Sequence, residues 1–498
     1  MGQISASVLY EQYRDKIQRI ADVRYAAAVL QWDQETYLPA KGNDARARQL
    51  ATLNELTHQL FSDEGFGKLL NNLNALGTLD EKQKRNVTLT LEDYNKQKKY
   101  SGEFVRLMSE TVSRCFYSWI EARKQNDFKV FEPALAALIE LKKQESDLLG
   151  YADHPYDAHL KEYEKSTSVQ QLDALFQSLQ TPLKNLIAEF SGKHTDAAFL
   201  KRHYPADQQW KWAMYLVKEL GFDLEAGRQD LSEHPFTTNF SARDVRITTR
   251  IDEQDLANMT WSCIHEVGHA LYEQGLPDED YGLPSGEYAS LSIHESQSRL
   301  WENCIGRGIE FWTFYFPVLQ TYFPEQLGDV NLSQFLGAIN KVQPSLIRTE
   351  ADALSYHFHV FIRYLIEKEI IGGDLKTADI PSRWNQLYQD FLDIRVPDDK
   401  RGCLQDVHWS HGSFGYFPTY SLGSLYAAQF WSKMQQDEPG IGNQIAGGRL
   451  QPVHSWLASN VYQHGRIYTS GALCERITGE MLNPQYFVDY IRQTYKHF

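Results

Sequence analysis

Two histidines and a glutamate in the segment HEVGH, residues 265–269, have the spacing of a catalytic metal site. Apolar residues recur around them at three- and four-residue intervals and predict a helix over Leu256–Gln274. On a helix, His265 and His269 project from one face about one turn apart and can bind the same metal ion. A catalytic metal lowers the pKa of a bound water to about 7, and Glu266 can accept a proton from that water as it attacks a carbonyl. The spacing therefore predicts metal-dependent hydrolysis of peptides.

The same spacing also arises on an ordinary helix face, where the two imidazoles would bind backbone groups or water. The chain has 16 histidines, so the motif would occur by accident in roughly a few in a hundred sequences of this composition. Here it falls inside a periodic apolar pattern, and Gly275 follows at a position where helices commonly end. We therefore favour the metal site over the structural alternative.

A third protein ligand is expected, because catalytic zinc sites commonly have three and leave a fourth position for water. Glu295 can supply it, since the intervening loop, Leu276–Ala289, is long enough to bring a second helix alongside the first. Glu302, two turns further on the same helix face, is the rival ligand. His294 is a weaker rival because it faces about a third of a turn away. Each of these residues could instead be solvated, which is the preferred interpretation for Glu302.

Other side chains could stabilise the negative charge that develops on the carbonyl oxygen during hydrolysis. A segment rich in glycine and aromatic residues, 402–423, is typical of a mobile loop over a cleft and carries four hydrogen-bond donors. We favour His408 and Tyr420 as catalytic donors, and we interpret His411 and Tyr416 as substrate contacts. The alternative is a loop whose aromatic residues simply pack together.

Arg348 and Asp352 are candidates for binding the carboxylate at the end of a peptide. Periodic apolar residues predict a helix over Ser345–Ile371, and this pair lies on a stripe separate from its apolar face. A guanidinium group can hold a carboxylate with two parallel hydrogen bonds, and Asp352, one turn on, could fix its orientation. The alternative is a surface ion pair that contributes less than about 1 kcal/mol.

Helical periodicity dominates the rest of the chain. The other predicted helices are Val8–Leu30, Ala45–Leu60, Phe104–Ala122, Phe131–Leu149, Val169–Phe190, Ile293–Gly306 and Leu332–Asn340. Residues 233–252 are the best candidate for a short β-ribbon. There, Pro235 restricts His234 to extended backbone and predicts a structural corner, although His234 is also a candidate substrate contact. Asp244 and Arg246 would share one side of a strand and pair with each other or with groove residues. We interpret them as scaffold, with groove lining as the alternative.

Size, charge and composition exclude several classes of protein. We expect one large domain over residues 1–498, helical to about residue 230 and carrying the motifs from about 231 onward. The net charge of −15 and the lack of a basic stripe argue against a nucleic-acid partner. Without an 18-residue apolar run or a signal-peptide core, we expect a cytoplasmic protein with no membrane partner. Five scattered cysteines without CxxC spacing argue against a disulfide framework or a thiolate metal site.

Six short motifs follow one another along the chain. In order they are HPF at 234–236, DVRIT at 244–248, HEVGH at 265–269, HESQ at 294–297, IRTEAD at 347–352 and GCLQDVHW at 402–409. Together they resemble peptidase family M32, the thermostable carboxypeptidases. HExxH alone is shared with many metallopeptidases, whereas the six motifs in this order are highly specific. The N-terminal half resembles the family only in length and helical character.

The resemblance implies an all-α, neurolysin-like fold with a deep central groove and a small β-ribbon near the active site. It implies one zinc or cobalt ion per chain, bound by His265, His269 and Glu295, with Glu266 as the general base. It also implies removal of single C-terminal residues from peptides with a free C-terminus, and a homodimer. In the family, the motif containing Arg348 is associated with binding the terminal carboxylate of the substrate.

Two other functions remain open. An oligopeptidase that cuts internally would share the metal site and the fold but would not need a free carboxylate on its substrate. A catalytically silent helical protein that binds peptides would merely retain the motif. An inactive relative would usually lose Glu266 or a metal ligand, and none is lost here. The sequence therefore favours a metal-dependent carboxypeptidase of broad specificity.

Overall fold

The computed structural model describes residues 5–192 and 196–496, and the chain forms two compact units. The first unit comprises Met1–Lys98, Asp196–Ile339 and Ala427–Leu482. The second unit comprises Lys99–Thr195, Asn340–Tyr426 and Asn483–Phe498. Each unit thus combines stretches that are far apart in the sequence. The single domain expected over residues 1–498 stays a prediction.

The α-helices of the described residues are numbered in chain order. Helices α1 to α8 span Ala6–Thr36, Asn43–Phe61, Glu64–Asn74, Glu81–Gln97, Gly102–Gln125, Phe128–Leu149, Tyr156–Tyr163 and Val169–Phe190. Helices α9 to α16 span Ala206–Glu219, Leu256–Gln274, Leu291–Arg299, Ile309–Tyr322, Pro324–Leu327, Leu332–Ile339, Tyr356–Gly372 and Ile380–Leu392. Helices α17 to α21 span Pro418–Asp437, Ile441–Ala446, Gln451–Asn460, Ser470–Thr478 and Gln485–Tyr495. A π-helical turn, Leu300–Ile305, continues directly from α11.

The prediction of a mainly helical fold is confirmed, and α8 and α10 have the predicted bounds. The prediction is wrong at the start of Ser345–Ile371, because α15 begins only at Tyr356. The Asp352 carboxylate accepts hydrogen bonds from the backbone N–H groups of Leu354 and Ser355, at 2.9 and 3.0 Å. An aspartate that binds the backbone in this way competes with helix formation ahead of it.

A three-stranded sheet formed by described residues lies in the first unit, with strands β1 (Gly227–Leu231), β2 (Thr237–Ser241) and β3 (Asp244–Thr249) in the order β1-β3-β2. β2 and β3 are antiparallel and form the predicted ribbon. β1 pairs in parallel with β3 and was not predicted, because its sequence GRQDL lacks alternating apolar residues. Thr249 and Ser262 join the sheet to α10 through hydroxyl oxygens 2.8 Å apart.

Helix α10 carries the metal motif and is buried along most of its length. The Asp255 carboxylate accepts a hydrogen bond from the N–H of Ala257 at 3.1 Å and caps the first turn. Gly275 follows the last residue of the helix, as predicted. A helix buried around its circumference is held on every side, so α10 is a rigid support for the motif.

The five cysteines are all buried and carry free thiols. Burial raises the pKa of Cys115, Cys263 and Cys474 to about 12, so these thiols stay protonated at neutral pH. In the part of the chain that the structure describes, no helix combines the length and the hydropathy needed to span a lipid bilayer.

Candidate active site

Two helices of the first unit bring the predicted metal ligands together. α10 presents His265 and His269, and α11 presents Glu295. One ligand atom from each of the three side chains lies within 4.8 Å of the other two. Glu295 Oε2 is 3.7 Å from His265 Nε2 and 3.4 Å from His269 Nε2. Two imidazole nitrogens and a carboxylate oxygen that converge in this way fit the His₂Glu donor set of catalytic zinc sites.

Gly268 allows these two helices to approach closely. A Cβ atom at position 268 would lie 2.7 Å from Ser298 Cα and 2.8 Å from the carbonyl oxygen of Gln297. Both are backbone atoms of α11, which cannot move aside as a flexible side chain can. The distance between the ligands on α10 and Glu295 on α11 therefore depends on a glycine within the HExxH motif.

Glu302 lies beside the ligand cluster and holds one of its histidines. Its Oε2 atom is 2.8 Å from His265 Nδ1, and its side chain is 13% exposed. The interpretation of Glu302 as a solvated residue is therefore wrong. A hydrogen bond at Nδ1 leaves Nε2 of His265 to face a metal ion. Glu302 belongs to the π-helical turn after α11, whose geometry the predicted α-helical period does not describe.

The charges around the ligand atoms favour binding of a cation. Burial would raise the pKa of Glu295, but Arg299, whose Nε is 2.7 Å from Glu295 Oε1, and His265 hold it well below its usual range. Burial, together with the neighbouring His294, lowers the pKa of His269 to about 3 and leaves its ring neutral. Burial opposes protonation of His265 as well, but the acidic neighbours outweigh it and raise the pKa to about 9. Binding of a metal would displace that proton.

Glu266 lies next to the ligands and contacts the sheet. The Thr237 hydroxyl donates to Glu266 Oε2 at 2.6 Å and lies 3.0 Å from the carbonyl oxygen of Glu266. Glu266 is buried, and this burial raises the pKa of its carboxyl group against the opposing effect of His265. A buried carboxylate with a raised pKa is suited to accept a proton near neutral pH.

His294, the weaker rival ligand, is engaged elsewhere. Its Nε2 atom is 2.8 Å from Glu273 Oε1, and Asn239 Nδ2 donates to Glu273 Oε2 at 2.7 Å. The His294 ring stacks on the ring of the ligand His269, with centroids 4.4 Å apart and an interplanar angle of 18°. His294 therefore supports a ligand ring and does not belong to the cluster.

Sequence reasoning missed three residues of this region: Thr237, Asn239 and Glu273. A signal for them was present. Thr237 and Asn239 alternate along β2 and so extend from the same face of the strand. Glu273 lies two helical turns after Glu266 and so lies on the same side of α10. The missing information was that this face of β2 packs against that side of α10.

In the second unit, Arg348 forms an ion pair with Asp406. Arg348 Nε and Nη2 lie 2.9 and 2.8 Å from Asp406 Oδ1, and Nη1 donates to the Tyr356 hydroxyl at 2.9 Å. The side chains of the pair are only 9% and 11% exposed. The predicted Arg348–Asp352 ion pair is therefore wrong, because Asp352 caps the backbone ahead of α15. The alternative of an exposed surface pair is also wrong.

His408 and Tyr420 contact each other, with His408 Nε2 3.2 Å from the Tyr420 hydroxyl oxygen. Burial lowers the pKa of His408 to about 4, against the opposing effect of Asp406, so its ring is neutral at pH 7. A neutral imidazole can donate to or accept from a phenol. The pair can therefore orient the Tyr420 hydroxyl.

Tyr416 and His411 make aromatic contacts in the same unit. The Tyr416 ring lies 5.1 Å from that of Tyr163, and the His411 ring lies 4.9 Å from that of Phe116. His411 is exposed, whereas Tyr416 is half-buried. Both side chains thus keep surface that a peptide could contact.

The expectation that residues 402–423 form a mobile loop over a cleft is wrong, and the alternative of packed aromatic residues is the better description. Trp409, Phe414 and Phe417 are buried, and α17 begins at Pro418. Gly415 has φ +89°, and a Cβ atom there would lie 2.6 Å from backbone atoms of His159. Gly415 therefore allows close packing of this segment against His159.

The HPF and DVRIT motifs belong to the sheet region. His234 is exposed and lies at a bend that leads into β2, so the predicted corner is confirmed. Arg246 donates to Asp244 through Nε and Nη2, both at 2.9 Å, and its guanidinium carbon lies 4.3 Å from the centroid of the Trp32 ring. The predicted pairing of Asp244 with Arg246 is therefore confirmed, whereas their interpretation as scaffold stays a prediction.

Residues 12–495 match the sequence profile of the family Carboxypeptidase Taq (M32) metallopeptidase. The chain belongs to peptidase family M32. Carboxypeptidase 1 of Bacillus subtilis (strain 168) is 38% identical to it over 490 residues, which cover 98% of each chain. The resemblance based on six motifs is confirmed, and this M32 protein is a metallocarboxypeptidase that hydrolyses peptides.

Solved structures agree with this assignment. The M32 carboxypeptidase from Deinococcus radiodurans R1 is 37% identical, with a TM-score of 0.96 over 98% of this chain and 99% of that chain. Metallocarboxypeptidase 1 of Trypanosoma cruzi is 32% identical, with a TM-score of 0.93 over 99% of this chain and 100% of that chain. Because the similarity covers nearly the whole of each chain, it extends to the N-terminal half, where no motif was recognised.

Proposed function

We propose that this M32 protein removes single C-terminal residues from peptides of varied sequence. His265, His269 and Glu295 would hold one zinc or cobalt ion per chain. The observation that supports this most directly is the convergence of three ligand atoms within 4.8 Å, next to the buried carboxylate of Glu266. Divalent metal chemistry is already a property of the family to which the chain belongs.

Glu266 would act as the general base. The bound metal supplies a Lewis acid that polarises the scissile carbonyl and activates a water molecule. Glu266 Oε2 accepts the hydrogen bond from Thr237, and the carboxylate would take a proton from the attacking water. The same carboxyl group would then pass the proton to the leaving amine.

Tyr420 would stabilise the negative charge on the former carbonyl oxygen, with His408 as its partner. This proposal is supported by the 3.2 Å contact between the two groups and by the neutral state of the His408 ring. Preorganised donors of this kind need no reorientation during the reaction. We further propose that Tyr416, His411 and His234 contact the substrate.

Arg348 would bind the free carboxylate of the substrate. Its guanidinium group has five N–H donors, of which three are directed at Asp406 and Tyr356. Those contacts hold the guanidinium plane in one orientation, which reduces the entropy lost when a carboxylate binds. Asp352 would contribute by ordering the backbone between Arg348 and α15.

One experiment tests the proposed activity. The purified protein is analysed for metal by elemental mass spectrometry, and a single peptide is digested with its C-terminus either free or amidated. We expect about one divalent ion per chain and stepwise loss of residues from the free peptide only. Internal cleavage of both peptides would indicate an oligopeptidase instead. Full metal content without hydrolysis would indicate a silent peptide-binding protein.

The choice of metal, the assembly and the location need separate tests. We propose a cytoplasmic homodimer with zinc or cobalt, on the basis of the resemblance to the M32 family. Light scattering coupled to gel filtration measures the mass in solution, and a monomer would contradict the dimer. Reconstitution of the metal-free protein with each ion compares their activities. Fractionation of cells that contain the protein tests the location.

A further inference from the structure

We propose that Thr237 is a positioning residue for Glu266, so that a strand outside the HExxH motif controls proton transfer. The inference rests on the proposed function, in which Glu266 is the general base. Thr237 Oγ1 lies 2.6 Å from Glu266 Oε2 and 3.0 Å from the Glu266 carbonyl oxygen. A hydroxyl group has only one proton to donate. The carboxylate oxygen is the closer and the stronger acceptor, so Thr237 donates to it.

The direction of the Thr237 hydroxyl is set by the backbone. Thr237 pairs with Ile247, which is fully buried in β3. Immediately before it, the Phe236 N–H donates to Thr248 Oγ1 at 3.0 Å, and the Thr248 N–H donates to the Phe236 carbonyl at 2.9 Å. Because a β-branched side chain has few rotamers, fixing this backbone also fixes the hydroxyl.

This arrangement explains two motifs that metal binding leaves without a role. The HPF motif leads directly into Thr237, and the DVRIT motif supplies both Ile247 and Thr248. Neither motif contains a member of the ligand cluster. Together they hold one threonine against the carboxylate of the base.

The position of the carboxylate matters because a general base must lie within hydrogen-bond reach of the proton that it takes. A glutamate side chain has three rotatable bonds, and the bond from Thr237 restrains the far end of the chain. A displacement of about 1 Å can reduce a rate by about 100-fold. Since binding of the peptide does not involve this bond, its loss should lower kcat and leave KM nearly unchanged.

The test compares Thr237→Val, which removes the hydroxyl at nearly constant shape, with Thr237→Ser, which keeps it. Thr238→Val is the matched control, because the next residue of a strand extends from its opposite face. Metal content, Tm, kcat and KM are measured for each variant of the full chain. We expect Thr237→Val to lose about 10- to 100-fold in kcat with about one metal ion retained. Thr237→Ser should recover kcat to within about threefold of wild type, and Thr238→Val should match wild type.

A Thr237→Val enzyme with wild-type kcat would overturn the proposal, and so would a loss confined to KM. If Thr237→Val loses metal or unfolds, Thr237→Ser decides the matter, because the proposal requires that the serine hydroxyl preserve kcat. Glu266→Gln separates this test from that of the general base. An active Glu266→Gln enzyme would refute the base itself, whereas an inactive one beside a fully active Thr237→Val enzyme refutes only the role of Thr237.

Discussion

The guanidinium group of Arg348 donates to the carboxylate of Asp406, with Nε 2.9 Å from Oδ1 in a largely buried pair. We expect Arg348→Ala to lower kcat/KM for peptides with a free C-terminus by a factor equivalent to about 2–5 kcal/mol, because a charge-assisted bond to the substrate is lost. The preference for free over amidated peptides should largely disappear. Metal content, measured by elemental mass spectrometry, should stay at the wild-type value.

Arg401→Ala is the matched control for this prediction. It removes the same charge from an exposed ion pair with Asp398. An exposed pair of this kind contributes little to the free energy of unfolding. We expect this control to discriminate between free and amidated peptides as wild type does. The same discrimination by Arg348→Ala would rule out Arg348 as the carboxylate site.

Glu266 and Glu295 should have separable roles. We expect Glu266→Gln to abolish hydrolysis and keep the metal, because it removes a base and no ligand. Glu295→Ala should lose the metal, because one of three protein ligands is removed. A metal-free Glu266→Gln protein, together with a fully loaded Glu295→Ala protein, would reverse the two assignments.

Glu302→Ala serves as the intermediate case in that experiment. Glu302 holds His265 Nδ1 at 2.8 Å without joining the ligand cluster. Loss of such a partner typically weakens metal affinity by about 10- to 100-fold. A titration with a competing chelator should therefore place Glu302→Ala between wild type and Glu295→Ala.

Removal of the Tyr420 hydroxyl should affect the chemical step. We expect Tyr420→Phe to lower kcat by the equivalent of about 2.7–4 kcal/mol and to change KM little, since an oxyanion donor acts in the transition state. Steady-state kinetics measures both constants. Tyr416→Phe, in the same segment, is the comparison. If only Tyr416→Phe lowers kcat, the donor is Tyr416.

The close contact at Gly268 predicts that the motif does not tolerate alanine there. A new Cβ atom would lie 2.7 Å from Ser298 Cα, and overpacking of this kind costs about 1–3 kcal/mol. We expect Gly268→Ala to lower both Tm and metal affinity, because separating α10 from α11 separates the ligands. Gly102→Ala, at a helical glycine with open space around it, is the control and should change neither quantity.

Glu367 should make stability depend on pH. Its carboxylate accepts hydrogen bonds from the Tyr156 hydroxyl, the Trp409 indole and the Gly415 N–H at 2.5, 2.7 and 2.8 Å. Burial nevertheless raises its pKa from 4.5 to about 7. A raised pKa in the folded state means that the stabilising contribution is complete below about pH 4.5 and is lost as the pH rises through about 7.

Glu367→Gln removes this titration. Between about pH 5 and about pH 8, we expect Tm to fall less in the Gln variant than in wild type. Glu369→Gln is the control, because Glu369 lies in the same helix in a partly exposed pair with Arg383. Parallel Tm profiles for wild type and Glu367→Gln would show that the carboxyl group does not titrate in this range.

The sequence by itself determined the helical class and the family, and it identified the three residues of the candidate metal-ligand cluster. The spacing of His265 and His269 depends only on the period of one helix, and Glu295 was found because a Pro- and Gly-containing loop returns the chain to it. Helix bounds were predicted best for α8 and α10, where long apolar periodicity and end signals coincide. Such features are local, so the sequence displays them directly.

Only the tertiary structure decided which side chains support those residues. Asp406 is the partner of Arg348, Glu302 is the partner of His265, and Thr237 is the partner of Glu266. In each case packing joins segments that are separate in the sequence, and the energy of a hydrogen bond depends on a distance that periodicity does not specify. Asp352 shows the opposite case. It was predicted to pair with Arg348 from one helical turn away, but the backbone between the two residues is not helical and the pair does not form.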